Sequence, residues 1–320
     1  METDVQFFYS KGLAKSTLRT YQSGKDRYTK FCTEANINPL PVSEQHLCFF
    51  VSFLAKQGLK HQTIECYLSA IRHLQISNGL KDPFLGELMP KLDYVLRGIK
   101  KHQAEQSSDD RTRLPITPTL LSKMREVWED ARPGMDITMI WAACSLAFFG
   151  FLRLGELTVP SDNDYDPQTH LGLADITFDH PTRPSSMAVL IKQSKTDPFR
   201  KGVTLSLGRT FSKLCPVAAM ATYITQRGQR PGPLFQFQDG RFLTRKRMVD
   251  YVQQALLKAK VDAGSYNGHS FRIGAATTAA AKGLEDSLIK TLGRWESTAY
   301  LRYVRIPREQ LASYTSILAS

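Results

Sequence analysis

Residues 269–305 read HSFRIGAATTAAAKGLEDSLIKTLGRWESTAYLRYVR. Ser270 can cap a helix running to Ala281, which places His269 and Arg272 at a helix N-terminus. Free backbone N–H groups and the helix dipole favour an anion such as phosphate there. Further helices are expected over Glu285 to Leu292 and Thr298 to Val304. The segment closes on Gly293-Arg294-Trp295 and two tyrosines, Tyr300 and Tyr303, among Arg302 and Arg305. Such a pattern is ordinarily an amphipathic helix. A phenol surrounded by cations is also a nucleophile.

Upstream, the greasiest stretch, Ile137 to Leu152, reads as a core helix that ends on Arg153, three residues before Glu156. On an exposed helical turn this would be a routine ion pair. Directly behind Ala147-Phe148-Phe149 the arginine needs an anionic partner, either Glu156 or a ligand. Strand-like segments follow at Leu173 to Phe178, Met187 to Gln193 and Val203 to Leu207. A polar stretch, Ser194 to Gly202, joins the last two, and the hairpin tip reads Lys192-Gln193-Ser194-Lys195-Thr196-Asp197. Helices are expected at Thr119 to Glu129, behind the Thr117-Pro118 start signal, and at Asp136 to Phe149, Pro216 to Gln226 and Thr244 to Val261.

The first third reads as helices alone. Ser16 can cap a helix carrying Leu18, Tyr21, Tyr28 and Phe31, stopped by Asn38-Pro39-Leu40-Pro41. Ser43 opens a second with Leu47, Phe50, Val51 and Leu54 buried, ending at Gly58. A third spans about Gln62 to Ile76 and a fourth about Pro83 to Lys101. The run KKHQAEQSSDDRTR, 100–113, is nearly free of apolar residues and reads as a solvated linker. The expected organisation is a helical domain over 1–106, a linker over 107–115 and a mixed domain over 116–320. The fold class is mainly α with a small antiparallel sheet (α+β).

Composition narrows the function. Forty-two Lys and Arg against thirty Asp and Glu leave a net charge of +12, which calls for a polyanionic partner, nucleic acid or an acidic membrane face. No basic amphipathic anchor, 18-residue apolar run or secretory leader is evident, so neither a membrane nor secretion is expected. Five cysteines without a C-x-x-C pair fit reduced thiols rather than a zinc site.

The order of these features, Arg153, a hairpin lysine, His269-x-x-Arg272, Gly293-Arg294-Trp295 and a late tyrosine, resembles the tyrosine recombinase (phage integrase) family over nearly the whole chain. The spelling of 269–305 is most similar to recombinases of eukaryotic mobile elements of the DIRS and Crypton kind. The resemblance implies a SAM-like core-binding domain followed by a catalytic domain. It implies site-specific cleavage and rejoining of double-stranded DNA through a 3′-phosphotyrosyl intermediate, with no metal and no cofactor. A homotetramer on two DNA sites is expected, a monomer or weak dimer without DNA, and a nuclear location if the source is eukaryotic, otherwise cytoplasmic.

Carried over position by position, Arg153 and Arg272 match the catalytic arginines, His269 the histidine, Lys195 the general-acid lysine (with Lys192 its competitor) and Tyr303 the nucleophile (with Tyr300 its competitor). Glu156 matches a supporting acid. Trp295 and Arg294 compete for the histidine-or-tryptophan position after Leu-Gly. Arg153, Arg272, Arg294, Arg302 and Arg305 are expected to collect around the phosphate and phenol. The basic segment with Arg241, Arg245, Lys246 and Arg247 is expected to track DNA phosphates, together with the helices of 1–106, as a clamp. The tail bearing Leu311, Tyr314, Ile317 and Leu318 docks on a neighbouring subunit or on its own domain. Two other functions share these features: a domesticated, catalytically silent DNA-binding protein and a type IB topoisomerase-like relaxing enzyme.

Overall fold

The structure, a computed structural model of the chain, describes residues 2–85, 89–106, 113–130, 134–194, 197, 199 and 201–305. It divides into two compact units, Met1–Asp110 and Arg111–Ser320.

The first unit is helical throughout: α1 (Glu2–Lys11), α2 (Lys15–Glu34), α3 (Glu44–Lys56), α4 (His61–Ser77) and α5 (Pro90–Gln106). Its core is built on Tyr28, Phe50, Leu54, Ile64, Ile71 and Leu92, the apolar stripes of these helices, with Tyr28 and Phe50 edge to face at 5.1 Å. Helices α2 and α4 approach closely because position 24 is glycine; a Cβ there would lie 2.8 Å from that of Ala70. The Ser43 side chain caps α3 as expected, accepting from the His46 N–H at 3.3 Å.

Three local expectations are corrected. Helix α1 is additional, and α2 starts one residue before Ser16, so Ser16 lies inside the helix and Ala14 is its cap. Helix α5 starts at Pro90 rather than Pro83, since the Asp82 carboxylate accepts from the Phe84 N–H at 3.0 Å and pairs with Arg72, holding a turn there.

The second unit holds α6 (Pro118–Asp130), α7 (Met135–Phe149), β1 (Ile176–Phe178), β2 (Ser186–Ile191), β3 (Val203–Gly208), α8 (Pro216–Arg227), α9 (Arg245–Lys258), α10 (Ser270–Ala281) and α11 (Asp286–Gly293). The chain is thus mainly α with one small sheet. That sheet is antiparallel in the order β1-β2-β3, with Ile176 opposite Val189 and Met187 opposite Leu207. Met187, Val189 and Ile191 are buried and alternate with less buried neighbours along β2. Helix α7 is apolar on every side and accordingly runs through the core. Gly274 of α10 lies so close to the segment before α6 that a Cβ there would sit 1.8 Å from the Ile116 carbonyl oxygen.

Two segments differ from their expected form. Leu173–Asp175 is a 3-10 turn leading into β1, because the Asp175 carboxylate accepts from the Gly172 N–H at 2.6 Å and draws the chain into a turn. Thr298–Arg302 is likewise a 3-10 turn instead of an α-helix, capped by the Ser297 side chain. Residues 107–112 of the expected linker and the tail with Leu311, Tyr314, Ile317 and Leu318 lie outside the described residues. Leu114, placed in that linker, already belongs to the second unit, where its N–H donates to the Ser265 carbonyl at 3.0 Å. The described cysteines are all free, and no helix among the described residues is long and apolar enough to cross a membrane.

Gln75 is a polar anchor in the first unit: nearly buried, it accepts from the Val42 N–H and donates to the Lys81 carbonyl, both at 2.7 Å. Gln75→Leu keeps the volume but strands both backbone groups, a loss of about 1–3 kcal/mol. Urea unfolding of the full chain, with amide exchange in α4 to localise the effect, measures it.

Candidate functional site

The site is assembled where three chain reversals meet. At the end of α7 the backbone turns through Gly150 and Phe151, the latter left-handed at φ 50, with the Leu152 N–H returning to the Ala147 carbonyl at 2.9 Å. This turn lifts Arg153 out of the buried helix and into a 3-10 turn, Leu154–Glu156. The Arg153 Nη1 donates to Glu156 Oε1 at 3.0 Å, while its backbone N–H donates to Oε2 at 3.1 Å. Glu156 is 4 % exposed at its side chain, so the surface ion pair suggested by spacing is instead a pair at the edge of the core.

The second reversal follows α11. Arg294 caps that helix in the left-handed conformation, φ 55, a position usually given to glycine or asparagine. Its guanidinium turns back across the fold to the α7 terminus. Nη1 donates to the Gly150 carbonyl at 3.0 Å, and Nη2 donates to Glu156 Oε2 at 2.9 Å and to the Phe151 carbonyl at 3.4 Å. Trp295, the next residue, folds its ring over Gly293: a Cβ at 293 would lie 1.6 Å from Trp295 Cζ3, so no other residue fits. The two competitors for one position therefore face different ways. Arg294 is committed to protein acceptors, and Trp295 lies against the tyrosine.

The third element is the start of α10. His269 is its cap residue, and Ser270, expected in that role, is the first helical residue; its hydroxyl accepts from the Asn267 N–H at 2.9 Å. Arg272 is wholly buried. Its Nη1 donates to the Phe151 carbonyl at 2.7 Å, Nη2 donates to the Gly293 carbonyl, and Nε has no partner among the described residues. Its Cζ stands 4.2 Å from the Trp295 ring centre and 5.6 Å from that of Tyr303. Burial, reinforced by Arg153, pulls its pKa down to about 9, which still leaves it charged at neutral pH. Burial also lowers the pKa of His269, helped by Arg113, Arg245, Arg153 and Arg272, so the imidazole is neutral at pH 7.

Tyr303 closes the site. Its ring centre is 5.2 Å from that of Trp295 and 6.5 Å from that of His269. Thr277 of α10 fixes this segment, donating through its hydroxyl to the Tyr303 carbonyl at 3.1 Å and accepting from the Arg305 N–H at 3.0 Å. Tyr300 is buried with its ring centre 6.3 Å from that of Trp295 and 5.2 Å from Lys290 Nζ, and a hydrogen bond to Asp286 raises its pKa. Among the arginines expected around the phenol, Arg272 faces it, whereas Arg294 is spent on Glu156 and Arg305 donates to the carbonyls of Arg302 and Val304.

Lys195 lies outside the described residues. Its competitor Lys192 is held away from any mobile role: Nζ is 2.7 Å from Asp175 Oδ2 and donates to the Pro167 carbonyl at 2.6 Å. The root of the β2–β3 hairpin nevertheless borders the site, since Ser194, Asp197 and Gly202 share a cleft of about 290 Å³ with Arg294, Trp295 and Lys290. In the basic segment, Arg247 is bound by both oxygens of Asp162, Arg241 by Asp239 and, more loosely, Lys246 by Asp250. Arg245 instead packs against Gly268, next to His269, and its charge, with that of Arg113 from the expected linker, helps hold the His269 pKa down. Thr277 and Asp175 were passed over, because neither carries any local pattern that marks it.

Residues 6–76 match the family model described as "Phage integrase, N-terminal SAM-like domain". The chain is 23% identical over 305 residues to an "Integrase/recombinase xerD homolog" of Selenomonas ruminantium, covering 92% of this chain and 82% of the relative. It is 23% identical over 293 residues to "Recombinase cre" of Escherichia phage P1, covering 87% and 80%. Its fold is similar to that of the XerH site-specific recombinase bound to a palindromic difH substrate, with a TM-score of 0.65 at 16% identity over 94% of this chain and 80% of that one. It is also similar to the Tn1549 transposon integrase in complex with transposon right end DNA, with a TM-score of 0.61 at 16% identity over 99% and 98%. The chain thus matches a phage-integrase family model in its N-terminal part and is similar in sequence, over most of its length, to an integrase/recombinase and a recombinase, while its fold is that of the solved structures.

Proposed function

We propose that the chain is a site-specific DNA recombinase that breaks and rejoins strands through a 3′-phosphotyrosyl intermediate. The observation that carries this is the gathering of His269, Arg272 and Trp295 around the Tyr303 ring, with Arg153, 150 residues upstream of Tyr303, acting electrostatically on both His269 and Arg272. Its relatives in sequence are recombinases, and similar folds were solved on DNA. The net charge of +12 supports double-stranded DNA as the partner. Work on two DNA sites as a homotetramer belongs to the same proposal, as does integration or excision of a mobile element. The spelling of 269–305 favours an element of the eukaryotic DIRS or Crypton kind, hence action in the nucleus.

In this reading the Tyr303 oxygen attacks the scissile phosphorus while the bond to the 5′ oxygen breaks. Negative charge grows on the non-bridging oxygens, where guanidiniums held in a poorly hydrated site act most strongly. Arg153 offers Nε and Nη2, neither of which is bonded among the described residues. Arg272 is occluded under Trp295 and Tyr303, so the phosphate has to displace this aromatic cover to meet it. Neutral His269 accepts or shares the phenol proton, and Lys195 protonates the leaving 5′ oxygen. The phosphotyrosyl bond conserves the ester, and attack by a second 5′-hydroxyl reverses the step on a new strand.

Incubation with a nicked suicide duplex should yield a covalent protein–DNA adduct that migrates slowly on a denaturing gel. Tyr303→Phe should abolish it and Tyr300→Phe should retain it; the reverse pattern would transfer the nucleophile to Tyr300. Arg153→Ala and Arg272→Ala should each slow adduct formation by about 2.7–4 kcal/mol of barrier, the loss of one transition-state donor. Near-normal rates in single turnover would exclude the residue concerned.

The His269 pKa lies below the ordinary value of about 6.5, so the base stays neutral down to and below that pH. The cleavage rate should hold steady to about pH 6.5 and fall beneath it, a limb that His269→Gln removes. The unfolded chain binds this proton at higher pH than the folded one, so stability also declines with acidification below about 6.5. Thermal melts over the same pH series separate the two effects.

A further inference from the structure

We propose that Arg294 is a positioning residue that keeps Glu156 from neutralising Arg153; this rests on the recombinase reading above. Glu156 carries one negative charge and two oxygens, and each oxygen serves a different guanidinium, Oε1 that of Arg153 and Oε2 that of Arg294. Among the described residues the Arg153 guanidinium is consequently bound through Nη1 alone, which leaves Nε and Nη2 as its open donors. Carboxylates and guanidiniums prefer the two-bond fork when both oxygens are free. Without Arg294, Oε2 keeps only the Arg153 backbone N–H, and its freed acceptor capacity lets Glu156 take the Arg153 guanidinium by both arms, withdrawing donors that a phosphate would use.

The second part of the role is steric. Arg294 and Arg272 donate to the same acceptor, the Phe151 carbonyl, at 3.4 Å and 2.7 Å, and Arg294 also holds the Gly150 carbonyl at 3.0 Å. Both carbonyls belong to the left-handed turn from which Arg153 departs. Arg294 therefore ties the end of α11, and with it Trp295, to the end of α7. Its side chain is 12 % exposed and both terminal nitrogens are bonded within the protein, only Nε lacking a partner among the described residues, which fits a positioning part better than a direct one.

The experiment uses the full chain and a suicide duplex, with DNA affinity measured by gel shift and adduct formation in single turnover. Arg294→Met should slow adduct formation by about 100-fold, the scale of a misplacement of roughly 1 Å in a reacting group, at nearly unchanged DNA affinity. Arg294→Lys, which keeps the charge but reaches fewer acceptors, should recover part of that loss, and melting curves confirm that it is folded. In a Glu156→Gln background, where no carboxylate charge remains to be shared, Arg294→Met should cost much less. Equal costs in both backgrounds, within about twofold, would show that Arg294 does not act through Glu156 and would overturn the proposal. So would a normal cleavage rate in Arg294→Met, or a loss of DNA affinity in place of rate. Absence of any adduct with the wild-type chain would instead overturn the recombinase reading, and this inference with it.

Discussion

A single buried carboxylate organises the site. Glu156 stands between Arg153 and Arg294, close to Arg272, in a region where desolvated cations repel one another strongly. One anion among three guanidiniums makes the cluster tolerable without cancelling it, and the residual positive potential is what an anionic substrate would meet. Removing one member of such a group costs more than its own contact, because the remaining charges stay buried with nothing to balance them. The geometry also requires two non-glycine residues, Phe151 and Arg294, to accept left-handed backbone. Strain of that kind persists when the surrounding packing holds it in place, and here the two strained turns are hydrogen-bonded to each other.

The aromatic layer above this cluster has a different physical role. Trp295 lies over the face of Arg272 and against Tyr303, while Phe151 meets Trp295 edge to face at 6.2 Å. Cation–π contact compensates part of the hydration that Arg272 has lost. The same layer screens the guanidinium from water, so its carbonyl partners at Phe151 and Gly293 are held without competition. The indole N–H of Trp295 and Nε of Arg272 remain without partners among the described residues. Two buried donors left open beside a tyrosine are expected where an acceptor is to arrive.

Much of the architecture could be read from local pattern. The apolar stripe of α3 and its Ser43 cap, the all-round apolar α7 and the alternating β2 each announced themselves, since burial imposes periods of 3.6 and 2 on the chain. Elements governed by a single polar contact did not. Asp175 turned half of an expected strand into a 3-10 turn, and Asp82 delayed α5, because one carboxylate near a free N–H outweighs modest strand or helix propensity. Lys192 and Lys195 are equivalent as letters in a hairpin; the partnership of Lys192 with Asp175 links residues 17 apart and has no local signature.

The amino-acid sequence by itself determined the class of fold, the basic charge and the set of chemical groups, His269, Arg272 and Tyr303 among them, because composition and period are properties of neighbouring residues. Tertiary structure alone decided the division of labour within that set. Which tyrosine faces the cations, whether Arg294 or Trp295 touches it, and whether Arg153 and Glu156 lie on the surface or at the core all depend on contacts between different elements, such as that of Arg294 with Glu156, 138 residues apart in the chain. Those contacts follow from how α7, α10 and α11 bury their apolar faces together, a collective outcome that no single stretch of the chain encodes.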